Sequence, residues 1–117
     1  MSKYFSVDEM VCHHCGQLPE GGINPRLLDV LDAMREKLGF PLYVSCMYRC
    51  PEHNAEVGGV WNSQHINGTA ADVQLPEFWT VEDLAAVAEE CGADGIGLYD
   101  WGVHVDVRGY EARWDDR

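Results

Sequence analysis

The chain has 117 residues, and eight Lys and Arg stand against twenty Asp and Glu, a formal charge of -12. A length in the usual single-domain range of about 100–150 residues, with 46% hydrophobic residues, allows one packed core, so residues 1–117 are expected to form a single domain. So acidic a chain excludes nucleic acid and anionic membrane surfaces as partners, since both call for clustered Lys and Arg. It also lacks a long apolar run and a basic-then-apolar leader, so membrane insertion is not expected and synthesis in the cytoplasm without a signal peptide is.

In chain order, Tyr4 to Met10 reads as a short lead-in helix capped by Ser6, with Glu9 at the capping-box position. A longer helix is expected from Pro25 to Leu38: Asn24 caps it, Pro25 suits its first turn and Gly39 ends it. Leu27, Leu28, Leu31, Met34 and Leu38 recur at helical spacing, an apolar stripe to be laid on a sheet. Leu42 to Cys46 reads as a strand, followed by a long loop through the Pro-rich turn at Pro51. Thr69 to Val73 reads as the next strand, and Thr80 to Cys91 as a helix capped by Thr80 and Asp83 and closed by Gly92. Ile96 to Tyr99 and Val103 to Val107 complete the order as a final hairpin. Helices packed on one face of a mainly antiparallel sheet, an α+β domain, is the expected architecture.

The chemistry is concentrated in Ser63-Gln64-His65-Ile66-Asn67-Gly68-Thr69-Ala70-Ala71-Asp72 and in His104-Val105-Asp106-Val107-Arg108. Gly68 can take a positive φ without steric cost, so the polar loop can turn and bring His65 back beside Asp72. In the second stretch polar residues alternate with valines, which puts His104, Asp106 and Arg108 on one face of a strand. His65, Asp72 and His104 fit a catalytic zinc, which takes three His or carboxylate ligands and keeps a fourth position for water.

These residues resemble the zinc D-alanyl-D-alanine carboxypeptidases and related murein endopeptidases, a family that includes vancomycin-resistance dipeptidases and several phage endolysins. The family pattern Ser-x-His-x-x-Gly-x-Ala-x-Asp, followed by His-x-Asp, is matched at Ser63, His65, Gly68, Ala70, Asp72, His104 and Asp106. An upstream Tyr-Arg and Pro-Glu-His-Asn are matched at Tyr48-Arg49 and Pro51-Glu52-His53-Asn54. The resemblance runs from about Tyr4 to Trp114. It implies a hedgehog/DD-peptidase-like fold, zinc on His65, Asp72 and His104, and peptidoglycan stem peptides as the partner; the chain itself is expected to be a monomer. Arg49 would hold the substrate carboxylate or carbonyl oxygen, with Tyr48 and Ser63 also lining the substrate site. Either a D-Ala-D-Ala carboxypeptidase or an L-Ala-D-Glu endopeptidase is implied. Without a signal, such an enzyme would act on the wall only if exported or released, as a phage or prophage lysin is.

The chain departs from this pattern in two places. The family's general base stands three residues before the second zinc histidine, where this chain has Trp101; Asp100, one residue further away, is the nearest upstream acid and Asp106 its competitor. Asp106 in the family more often orients a ligand histidine or Ser63. Where the family commonly has Ser-Gly before the arginine, this chain has Cys46-Met47, and the larger Met47 is expected to narrow the pocket. Trp61 and Trp101 are expected to wall the cleft, and His53 and Asn54 to brace the loop. The missing acid also leaves open a degenerate module that binds wall peptides without cutting them.

Cys12-His13-His14-Cys15 is a C-x-x-C pair, and Cys46 and Cys50 form a second close pair. If the N-terminal segment folds over the Arg49 loop, these four thiolates can hold a structural zinc; a disulfide from Cys50 to Cys12 or Cys15, and free thiols, are the alternatives. Cys91, at a helix end, is expected to be buried filler.

Overall fold

A computed structural model describes residues 4–58 and 63–117. The first helix, α1 (Val7–Met10), starts at Ser6, whose backbone N–H donates to the Glu9 carboxylate at 3.3 Å. Helix α2 (Pro25–Leu38) has the expected bounds, because both ends are specified chemically. The Asn24 side chain accepts from the Arg26 amide at 2.9 Å, and Gly39 takes a φ of 78° that a residue with a Cβ adopts only with strain.

Among the described residues five strands form one sheet in the order β1-β2-β4-β3-β5: β1 (Val44–Cys46), β2 (Ala70–Gln74), β3 (Gly95–Tyr99), β4 (Gly102–Asp106) and β5 (Ala112–Asp115). The pairings of β1 with β2, β2 with β4 and β3 with β4 are antiparallel, as expected. The expectation of a closing hairpin is corrected by β5, which follows it and runs parallel to β3. Only four residues long and half polar, this edge strand carries too short an alternation to stand out in the sequence. A second correction concerns the Pro51 turn, which opens a short helix, α3 (Pro51–Glu56), with Cys50 as its N-cap. The β1 pairing also shifts register between Val44 and Cys46, and only three of the five residues expected to form that strand belong to it.

Because side chains alternate across a strand, the sheet separates into two chemistries. Ala71, Val73, Ile96, Val103 and Val105 join Leu27, Leu31 and Met34 of α2 and Leu84, Val87 and Ala88 of α4 (Val81–Glu90) in one buried cluster. Helix α4 lies against β3 and β4 and is touched in turn by α2. The alternate positions carry the polar set Asp72, His104 and Asp106 beside the small Ala70, held in register by the pairs Asp72↔His104 and Ala70↔Asp106.

The polar face has room for these side chains because β3 supplies glycines opposite them. Gly97 pairs with His104 and Gly95 with Asp106. A Cβ on Gly95 would collide with the Asp106 carboxylate, and one on Gly97 with the Trp114 indole. No helix among the described residues is long and apolar enough to cross a membrane.

Candidate active site

The loop after the undescribed stretch turns as its glycine allows: Gly68 has φ of 70° and its amide donates to the His65 carbonyl at 3.3 Å. His65 is thereby returned to the start of β2, where its Nε2 lies 3.1 Å from Asp72 Oδ1. The neighbouring strand places His104 Nδ1 3.4 Å from the same oxygen. Exposure is graded across the cluster, with side-chain values of 3% for His65, 11% for His104 and 18% for Asp72, so the carboxylate is the member most open to solvent.

The hydrogen-bond partners fix the tautomers. A carbonyl only accepts, so His65 Nδ1, 2.7 Å from the Met47 oxygen, is the protonated nitrogen of that ring. His104 donates Nε2–H to Asp106 Oδ2 at 2.8 Å. In the neutral rings the two nitrogens left over therefore carry lone pairs, and both face one carboxylate oxygen. Three acceptors converging without a donor require a proton or a cation between them. In the metal-free protein a proton takes that place: burial disfavours the His65 cation, but its hydrogen bonds to Asp72 and Cys46, which accept, outweigh burial and raise the His65 pKa to about 10. Burial likewise opposes ionisation of Asp72, and the His104 and His65 contacts prevail, holding its carboxyl well below the usual range.

Two edges of the His65, Asp72 and His104 set suit zinc: two ligands about 2.1 Å from a tetrahedral ion stand about 3.4 Å apart, and His65 and His104 lie 3.1 and 3.4 Å from Asp72 Oδ1. Cys46 Sγ lies 3.8 Å from His65 Nδ1 and belongs to a His65, Asp72 and Cys46 group of possible ligands. The Nδ1 of His65 is already committed to Met47, however, so Cys46 stands behind the ring.

Asp106 is fully buried and engaged on every side. Arg108 donates to it through Nε at 2.9 Å, Nη2 at 2.7 Å and its backbone N–H at 3.2 Å, in addition to the His104 bond. Burial works against its charge, but His104 and Arg108 hold its carboxyl well below the usual range. The Arg108 guanidinium rests over the Trp114 and Tyr110 rings at 5.2 and 5.7 Å.

A cavity of about 430 Å³ opens over the cluster. His65, Asp72 and His104 form part of its wall, with Ser63, Arg49 and Trp101 among the other lining residues. Arg49 forms no salt bridge among the described residues, while Ser63 Oγ accepts from the His65 amide at 3.2 Å. Trp101 stacks on Tyr99 at 4.8 Å and walls the cavity as expected; Trp61 lies outside the described residues.

Several expectations are placed elsewhere. Met47 is fully buried in the core and does not line the cavity; it acts through its carbonyl. Tyr48 packs against the core cluster and is likewise absent from the lining. Asp100 sits exposed in the β3–β4 turn, between the lining residues Tyr99 and Trp101, and does not itself line the cavity. His53 and Asn54 lie on α3. Cys12, Cys15 and Cys50 come together, whereas Cys46 stands against His65, so of the four cysteines weighed as one cluster three are neighbours. Burial opposes the Cys12 thiolate, but the backbone amides of Cys50, Cys15 and His14 bring its pKa down to about 7. Cys91 is half-buried against the core rather than fully buried. Sequence reasoning missed Trp114, whose indole lies 5.1 Å from the His104 ring, and the Gly-x-Gly of β3 that admits it was the available signal.

A small α+β domain with a His–Asp–His cluster facing a cavity has the make-up of a metal-dependent hydrolase. The chain belongs to the peptidase M15 family, whose model matches residues 3–107. It is by that membership a metallopeptidase, of the zinc-dependent, peptidoglycan-hydrolysing kind. No curated protein matches the chain.

Proposed function

We propose that the protein is a zinc peptidase that hydrolyses an amide bond next to a D-amino acid in peptidoglycan stem peptides, with His65, Asp72 and His104 holding the metal. The observation that carries this reading is the convergence of two histidine lone pairs on Asp72 Oδ1 at the cavity wall. Zinc bound there supplies a Lewis acid for the scissile carbonyl and brings the pKa of water towards about 7.

The remaining roles belong to the chain's own residues. Arg49, uncommitted to any carboxylate among the described residues, binds the substrate carboxylate or carbonyl oxygen. A grip on a free terminal carboxylate favours the D-Ala-D-Ala carboxypeptidase over the L-Ala-D-Glu endopeptidase. Asp106 orients His104, because all its contacts are spent on that ring and on Arg108. Asp100 is the proton acceptor of this reading, supported by its place between two lining residues, and Ser63 and Trp101 border the bound peptide.

One observation favours a second reading, a wall-peptide binding module: apart from Asp72, no carboxylate among the described residues lines the cavity. Asp100→Asn and Asp106→Asn, assayed on synthetic stem peptides with zinc content measured in parallel, separate the roles. Loss of turnover with zinc retained in Asp100→Asn supports the base; unaltered turnover removes it. A wild-type protein that binds stem peptides and cuts none is the module.

A further inference from the structure

Away from the cavity, the N-terminal segment and the start of α3 enclose a second group of metal-binding side chains. The Sγ atoms of Cys12, Cys15 and Cys50 lie within 4.8 Å of one another, and all three thiols are free. We propose that Cys12, Cys15, Cys50 and His53 bind a second, structural zinc ion that fastens the N-terminal segment to the loop bearing Arg49.

The local backbone is shaped as a thiolate site needs. Cys12 and Cys15 flank a tight turn in which the Gly16 amide donates to the Cys12 carbonyl at 2.8 Å, with Gly16 at a φ of 71°. Backbone amides then point at sulfur: those of His14 and Cys50 each lie 3.4 Å from Cys12 Sγ, and that of His53 lies 3.4 Å from Cys50 Sγ. Such N–H groups stabilise thiolate charge, the form in which cysteine ligates metal. Four thiolate or imidazole ligands make the closed tetrahedral set of a structural zinc, with Zn–S of about 2.3 Å and sulfurs about 3.8 Å apart. A disulfide would join two sulfurs and strand the third.

The fourth ligand follows from spacing. Cys12-x-x-Cys15 is answered by Cys50-x-x-His53, and His53 sits on the first turn of α3, directly after its Cys50 cap. Its Nδ1 is buried without a hydrogen-bond partner among the described residues and stands 4.0 Å from Glu56 Oε2, in a group with His14 and Glu56, so ligation requires the ring to turn towards the sulfurs. Cys46 is excluded, because its sulfur stands against His65.

The consequence reaches the cavity through the backbone. The Tyr48 amide donates to the Met10 carbonyl at 3.2 Å, and the Arg49 amide to the His65 carbonyl at 3.2 Å. A metal clamped on Cys50 therefore steadies both Arg49 and the loop whose Met47 carbonyl orients His65.

Metal counting by plasma mass spectrometry on wild type and His65→Ala tests this without disturbing the thiols. Two zinc ions per chain are expected in wild type and one in His65→Ala. The cobalt-substituted His65→Ala protein should show sulfur-to-cobalt charge-transfer absorption that Cys12→Ser abolishes. His53→Cys should keep that band and His53→Ala weaken cobalt binding at least tenfold. Zinc absent from His65→Ala, with its thiols immediately reactive to Ellman's reagent, overturns the site, as does a native mass two hydrogens light from a disulfide. Loss of the band in His14→Ala but not in His53→Ala overturns the fourth ligand.

Discussion

The imidazole of His65 donates to the carbonyl oxygen of Met47 at 2.7 Å, and this one bond settles which nitrogen faces Asp72. A main-chain acceptor cannot change protonation or swing away like a side chain, so the ring is held in its ligating tautomer by the fold itself. On the other ring the same task falls to Asp106, backed by Arg108. The two histidines are thus prepared by different means for one carboxylate.

The Asp106 contact predicts a graded loss of metal. Replacing Asp106 by Ala frees the His104 ring and leaves Arg108 without its buried partner, so zinc affinity should fall about 10–100-fold while His65 and Asp72 remain. Competition with a fluorescent chelator measures this. An unchanged affinity would mean that His104 is oriented by something other than its bond to Asp106.

Gly95 makes the same point from the opposite strand. A methyl group there enters the space of the Asp106 carboxylate, so Gly95→Ala should push Asp106 off His104 and weaken zinc binding by a similar factor of about ten or more. A Gly95→Ala protein that folds and binds zinc like wild type would contradict the close packing of β3 on β4.

Much of this was legible in the sequence, and the reasons differ by element. Helix α2 was readable to the residue because Asn24, Pro25 and Gly39 each impose a local conformation. The pairing of His65, Asp72 and His104 was readable because a positive-φ glycine and strict alternation are local signals. What escaped depends on distant partners. Strand β5 exists by pairing with β3, and the placing of Met47 in the core rather than the cavity depends on the cluster of residues it packs among. Neither has a signature within its own few residues.

Core stability should respond most at α2. Leu31 is fully buried in the cluster shared by both helices and the sheet, so Leu31→Ala should cost about 2–5 kcal/mol. Urea unfolding followed by circular dichroism gives the value. A loss much below this range would mean that the helix can settle into the vacated space.

Acid sensitivity is expected at Asp94. Its carboxylate accepts from both Arg26 Nη atoms at 2.7 and 3.0 Å and from the Gly109 amide at 2.8 Å, and the Arg26 bonds, outweighing burial, lower its pKa. A carboxyl whose pKa is depressed on folding contributes stability above its unfolded value, about 4, and loses it as pH falls through the lower folded value. Asp94→Asn should therefore lower the melting temperature at pH 7, and the gap to wild type should close in acid below about pH 4. A gap that stays constant with pH would assign the loss to packing instead.

Digestion of purified peptidoglycan and synthetic stem peptides by the zinc-loaded protein, with His65→Ala as control and products identified by mass spectrometry, tests the central claim most directly. Release of terminal D-Ala by wild type and not by His65→Ala is the predicted result, and an L-Ala/D-Glu product would move the enzyme to the endopeptidase type. Zinc-loaded protein that releases no product from any of these substrates would contradict the account.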